Sequence, residues 1–114
     1  MTPDIDRTLS ALADPTRRTV IEQLRSGPRR ASDLAQIIGA SNPAMSRHLR
    51  VLRTAGLVEI EDQTARGDAR ERWFGLAPAP FEQLRGWLEE VEQFWSVQLA
   101  SFKTHVERTR RRKR

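Results

Sequence analysis

Two short helical stretches joined at a glycine constrain this chain more than any other feature. Leu34, Ile37 and Ile38 give apolar positions to a stretch from Asp33 to Ile38, and Ser32 stands where a helix cap is wanted. Gly39 ends that stretch and forces a tight turn. Asn42-Pro43 opens the next helix, which should run to about Ala55 before Gly56 stops it. At about 100° per residue, Met45, Leu49 and Leu52 fall together and should face a core. Pro43, Arg47, Arg50 and Thr54 fall opposite, flanked by Ala44, Ser46 and Val51, with His48 and Arg53 at the edges of the buried stripe. No acidic residue lies between Asp33 and Glu59. The spacing predicts a helix-turn-helix.

The flanking segments fit that centre. Ile5, Leu9 and Leu12 have helical spacing. Asp14 then caps, with Pro15 at the first position, a helix to about Arg25 that turns Val20, Ile21 and Leu24 inward before Gly27-Pro28 closes it. After Gly56 the period changes to two. Val58 and Ile60 share one face and Glu59 and Glu61 the other, Arg66-Gly67 signals a turn, and Arg70 to Leu76 reads as a returning strand with Phe74 and Leu76 inward. Pro78 and Pro80 break the chain. From Phe81 the apolar positions Leu84, Leu88, Val91, Trp95, Leu99, Phe102 and Val106 follow in steps of three and four, close to a heptad seam, widened by Trp87 and Phe94. That helix should end near Arg108, roughly 40 Å long at about 1.5 Å per residue. The expectation is a mainly α fold with a small β-hairpin. It is read as one domain over 1–107, with the helix-turn-helix at about 32–55, the hairpin at about 57–76, the long helix at about 80–107, and a disordered basic tail at 108–114.

Composition narrows the function classes. The 114 residues include no cysteine, which excludes a disulfide framework, a thiolate nucleophile and a Cys-ligated metal. No run of about 18 apolar residues predicts a membrane span. Met1-Thr2-Pro3-Asp4 has no basic stretch followed by an apolar block, so a cytoplasmic location is expected. The net charge of +5 is segregated: nine basic against five acidic residues up to Gly56, five against ten from Leu57 to Glu107, and six against none in the last seven. Basicity concentrated on the helix-turn-helix half suits a polyanion, and a duplex major groove admits one helix whose arginines can bond guanine bidentately. No Gly-rich phosphate loop or converging pair of carboxylates supports catalysis, since Glu89 and Glu90 diverge by about 100° on their helix.

Two motifs carry a family resemblance. Leu12-Ala13-Asp14-Pro15-Thr16-Arg17-Arg18, followed by Val20-Ile21-Glu22-Gln23-Leu24, resembles the second-helix signature of the arsenic-repressor (ArsR/SmtB-type) winged-helix regulators. Ser41-Asn42-Pro43-Ala44-Met45-Ser46-Arg47-His48-Leu49-Arg50-Val51-Leu52, with Ala55-Gly56-Leu57-Val58, is similar to that family's recognition helix and strand entry. The resemblance spans about Ile5 to Val106. It implies a winged helix-turn-helix, a homodimeric repressor on an inverted-repeat operator of double-stranded DNA, and a dimer interface made by the first and last helices. Carried over by position, Ser46, Arg47 and Arg50 would reach base edges, with Ser41, Asn42 and Ala44 at the approach. His48 and Arg53 would touch phosphates, and Arg66, Arg70 and Arg72 would be wing contacts or merely solvated charges. The interface would use Ile5, Leu9, Phe81, Leu84, Leu88, Val91, Trp95, Leu99 and Phe102.

The sequence departs from the family's metal sensing. Its Cys-x-Cys pair would fall at Arg30 and Ser32, and the last helix offers only His105 near Glu89, Glu90, Glu92 and Glu107. No metal and no cofactor is therefore expected. Trp73, Trp87, Trp95 and Phe94 resemble a non-metal-sensing branch with an aromatic last helix, where dimer-core packing and a site for an unidentified small-molecule effector are both open readings. A winged-helix module that binds proteins through its long C-terminal helix is the competing reading.

Overall fold

A computed structural model describes residues 4–61 and 72–112. The chain runs α1 (Asp4–Leu12), α2 (Pro15–Leu24), β1 (Arg29–Arg30), α3 (Ala31–Ile38), α4 (Asn42–Thr54), β2 (Val58–Ile60), β3 (Trp73–Leu76) and α5 (Pro78–Arg112). The strands form one antiparallel sheet in the order β1-β3-β2. The expected turn at Arg66-Gly67, together with Arg70, lies outside the described residues.

Local chemistry explains most boundaries. Asp14 caps α2 as expected, its Oδ1 accepting the Arg17 N–H at 3.1 Å with Pro15 just inside the helix. The corner between α1 and α2 is closed from the other side too. Arg17 Nε donates to the Ala11 carbonyl at 2.7 Å and Arg18 Nη1 to the Leu12 carbonyl at 2.8 Å, so cations satisfy the last carbonyls of α1. The motif Asp14-Pro15-Thr16-Arg17-Arg18 is thus a structural joint.

Several boundaries differ from the sequence reading. The cap of α4 is Ser41, whose Oγ accepts the Ala44 N–H at 3.2 Å, so Asn42 becomes the first helical residue. α3 starts at Ala31 with Arg30 at the cap position and no side-chain cap, because Arg29 and Arg30 are held extended by pairing with Phe74 and Trp73. Ser32 is consequently inside the first turn. α5 begins at Pro78, both prolines sitting in a first turn whose N–H groups would be unpaired anyway. It continues through Arg108 to Arg112, past the end near Arg108 that the spacing predicts. No glycine or proline intervenes after Gly86, and cations in a last turn favour the helix dipole. Among the described residues the returning strand starts at Trp73, leaving Arg72 before it.

The described residues divide into two units that part between Glu82 and Gln83. The first holds the core, in which Val20, Ile21 and Leu24 of α2 meet Leu34 of α3, Met45, Leu49 and Leu52 of α4, Leu57 just before β2, and Val58 and Phe74 of the sheet. Phe81, half-buried, packs against that core. The second unit is the remainder of α5, a helix with no buried residue of its own. Among the described residues no helix is long and apolar enough to cross a membrane.

Candidate nucleic-acid interface

The reading surface is set by how α4 is pinned. Met45, Leu49 and Leu52 are fully buried, and α3 packs on the same helix through Leu34. The turn between them is fixed by Gly39 at φ +81°, with the Gly39 and Ala40 N–H groups both donating to the Ala35 carbonyl at 2.9 Å. A side chain at Gly39 would meet no atom within 4 Å, so backbone conformation alone requires glycine there.

With one face fixed, the other follows. Ser41, Asn42, Ser46, Arg47, Arg50 and Arg53 are exposed, whereas Ala44 and His48 are half-buried. His48 lies within electrostatic reach of Asp14. The Arg17 N–H is the main cause of that carboxyl's depressed pKa, and the His48 charge adds the smallest part. The guanidinium groups of Arg47, Arg50, Arg53 and Arg72 make no hydrogen bond or ion pair among the described residues.

A feature absent from the sequence reading lies beside this face. A cleft of about 370 Å³ opens between the start of α3, α4 and β3, lined by Arg30, Ala31, Ser32, Ser46, Leu49, Arg50, Arg53, Arg72 and Phe74. Arg30 is already engaged: Nε and Nη2 bond the two Asp33 oxygens at 2.9 and 3.1 Å, and its guanidinium stands 5.7 Å from the Trp73 ring centroid. That ion pair holds the Asp33 carboxyl below the usual range against the opposing effect of burial. The sequence signal is the Arg29-Arg30 pair after the Gly27-Pro28 helix stop, where Arg30 counts in the sequence reading only as a place without a thiolate.

These positions do not suit a metal. Where the resemblance places two thiolates stand a cation tied to Asp33 and a serine hydroxyl. The hollow beside His105 is lined by Ala100, Ser101, Thr104 and Arg108, with no carboxylate among the described residues. Among the described residues no three His, Cys, Asp or Glu side chains gather.

On α5, the expected interface residues separate. Leu84 and Val91 are half-buried, while Leu88, Trp95, Leu99 and Phe102 are exposed, Trp95 by 57% and Phe102 by 65%. Phe94 and Trp95 meet edge to face with centroids 5.8 Å apart. On α1, Ile5 is half-buried and Leu9 is exposed. Trp73 sits on β3, within the returning strand expected from Arg70 to Leu76.

The model of bacterial regulatory proteins of the arsR family matches residues 14–59, from the α2 cap to β2. The HTH-type transcriptional regulator Rv2034 of Mycobacterium tuberculosis is 37% identical over 97 residues, covering 85% of this chain and 83% of that one. An ArsR-like transcriptional regulator from Rhodococcus sp. RHA1 superposes with a TM-score of 0.72 at 28% identity, over 89% of this chain and 91% of that one. The homodimeric winged helix-turn-helix DNA-binding domain Mb0332 from Mycobacterium bovis shares the fold, with a TM-score of 0.61 at 22% identity over 79% of each chain. The joint, the glycine turn and the outward arginines of α4 all lie within the matched segment, and the chain belongs to the arsR family of bacterial regulatory proteins as a winged helix-turn-helix transcriptional regulator.

Proposed function

We propose that the protein is a cytoplasmic homodimeric repressor that lays two copies of α4 into successive major grooves of an inverted-repeat operator. One observation carries this reading. Outside its buried stripe, α4 presents Arg47 and Arg50 on the opposite face and Arg53 at the stripe's edge, all exposed and unpaired among the described residues, with the small side chains of Ser46 and Asn42 also exposed. Arginines so placed can bond guanine bidentately or neutralise phosphates, and small residues near a helix start let the backbone approach base edges. Arg47, Arg50 and Ser46 are assigned to bases, with Ser41, Asn42 and Ala44 at the approach. Arg53, His48 and Arg72 are assigned to the DNA backbone, as are Arg66 and Arg70 outside the described residues.

Dimerisation is supported by the stripe Leu88, Trp95, Leu99 and Phe102, which is too apolar to leave in water. Two-fold symmetry would set the reading helices about 34 Å apart, one turn of the duplex. Repression is then steric: occupancy of a promoter blocks the polymerase. The donor chemistry at Arg30, Ser32 and His105 supports a branch of the family that does not sense metals.

The deciding experiment is a gel shift on the gene's own upstream DNA against random duplex at moderate salt. Arg47→Ala or Arg50→Ala should cost about 1–3 kcal/mol on the operator and far less on random DNA. Trp95→Asp should sediment as a monomer, because dimerisation would bury an unpaired charge. Equal affinity for both duplexes would refute operator reading and favour the protein-interaction module instead.

A further inference from the structure

We propose that the cleft between α3, α4 and β3 seats a small organic anion with an apolar body, a phosphate monoester or carboxylate on an aromatic or aliphatic group, whose occupancy excludes DNA from α4. The seat is independent of the DNA reading; the exclusion rests on it.

The cleft joins two properties that a plain phosphate contact does not need together. Its rim carries Arg50, Arg53 and Arg72, exposed and without hydrogen-bond or ion-pair partners among the described residues. Among the described residues no carboxylate lines it. Arg30, on the same wall, is held by Asp33 and Trp73, so it braces the rim and leaves the ligand to the other three. Three cations around one concavity repel one another, and an anion removes that repulsion while gaining charge-assisted hydrogen bonds. The Ser32 and Ser46 hydroxyls add donors.

The base is apolar. Leu49 and Phe74, both buried in the core, close the cleft with Ala31. About 370 Å³ is the size of a small-ligand site, and apolar walls with a few convergent polar groups are its usual composition. A DNA phosphodiester would use the arginines but bring only sugar to that base. A ligand with a ring or chain behind its anionic group uses both. Because Arg50 and Arg53 belong to the outward face of α4, such a ligand and the duplex compete for the same guanidinium groups.

Calorimetry on the full chain tests the seat with phenyl phosphate, inorganic phosphate and benzyl alcohol. Phenyl phosphate should bind once per chain, about ten-fold tighter than inorganic phosphate, and benzyl alcohol should not bind. Arg53→Ala and Arg72→Ala should each weaken phenyl phosphate about ten-fold, the factor one charge-assisted hydrogen bond supplies. Ser32→Asp, at an exposed position and checked for fold by circular dichroism, should abolish binding by placing a carboxylate at the rim. Anisotropy of a labelled upstream duplex should fall as phenyl phosphate is added, with a midpoint that follows its calorimetric Kd. Equal affinity for the two phosphates, or unchanged binding to Ser32→Asp, would overturn the seat. Binding that leaves the duplex in place would overturn the exclusion. A duplex not bound in the first place would overturn the exclusion and the DNA reading together, while calorimetry still decides the seat.

Discussion

Arg17 should be a stability residue, and its worth can be worked out bond by bond. Its side chain is 18% exposed. Nε donates to the Ala11 carbonyl at 2.7 Å, and Nη2 reaches the Ser10 carbonyl at 3.4 Å. Nη1 stands 4.0 Å from Asp14 Oδ2. A short, partly buried bond from a charged donor contributes about 1.5–3 kcal/mol net, and an exposed ion pair at the distance limit adds only tenths. Arg17→Met keeps most of the aliphatic packing and removes the bonds, so the expected loss is about 2 kcal/mol. For a unit of this size that lowers Tm by about 8–16 °C at fixed protein concentration. Arg18→Met is the control. It deletes bonds to Leu12 and Ala13 of 2.8 and 3.2 Å, but from an exposed side chain. Its cost should stay below about 1 kcal/mol. Urea unfolding followed at 222 nm measures both. A loss for Arg17→Met within about 0.5 kcal/mol of zero would refute the joint, as would parity between the two variants.

Gly39→Ala should cost about 1–2 kcal/mol in the same assay and Gly39→Asn less, because φ is +81° there and no neighbour crowds the position. An equal cost for both would point to a steric cause instead. Thr8 is 1% exposed and its hydroxyl has no partner among the described residues, so Thr8→Val should stabilise by about 1 kcal/mol; a destabilised variant would reveal a missed bond. Asp14 and Asp33 both have depressed pKa values in the fold, so the stability they add is complete above the unfolded value and lost as pH falls through the folded one. Asp14→Asn and Asp33→Asn should therefore flatten the acid limb below about pH 4, and limbs that stay parallel to wild type would contradict the assignment. Removing residues 108–114 deletes six cations and should make operator affinity less steeply dependent on salt; an unchanged slope means the tail neutralises no phosphate.

What the sequence revealed of the fold follows from the range of each interaction. The α2 cap at Asp14, the core face Met45-Leu49-Leu52 and the turn at Gly39 depend on neighbours within one or two helical turns, and all three stand as the spacing predicts. The α4 cap is one residue off because Ser41 and Asn42 are both capable caps, and only the geometry that delivers Oγ to the Ala44 N–H decides between them. β1 was illegible for a different reason. Two residues have no period, and the partner that makes Arg29 and Arg30 a strand lies more than forty positions away on β3.

The candidate site divides along the same line. The exposure of Arg47, Arg50 and Arg53 is a corollary of a buried stripe that sequence can locate. The cleft is not, because it exists only where β3 returns to the start of α3 and sets Arg72 and Phe74 opposite Leu49 and Arg53. Charge counting misleads here. The nine basic residues before Leu57 look like one polyanion-binding reserve. Five of them, Arg17, Arg18, Arg25, Arg29 and Arg30, are bonded within the fold, to helix-end carbonyls, Ser26, Glu22 and Asp33. Net charge therefore overstates the reading surface. The charge that can meet DNA is the part the fold leaves without an internal acceptor, and on the helix-turn-helix that is the outward row of α4.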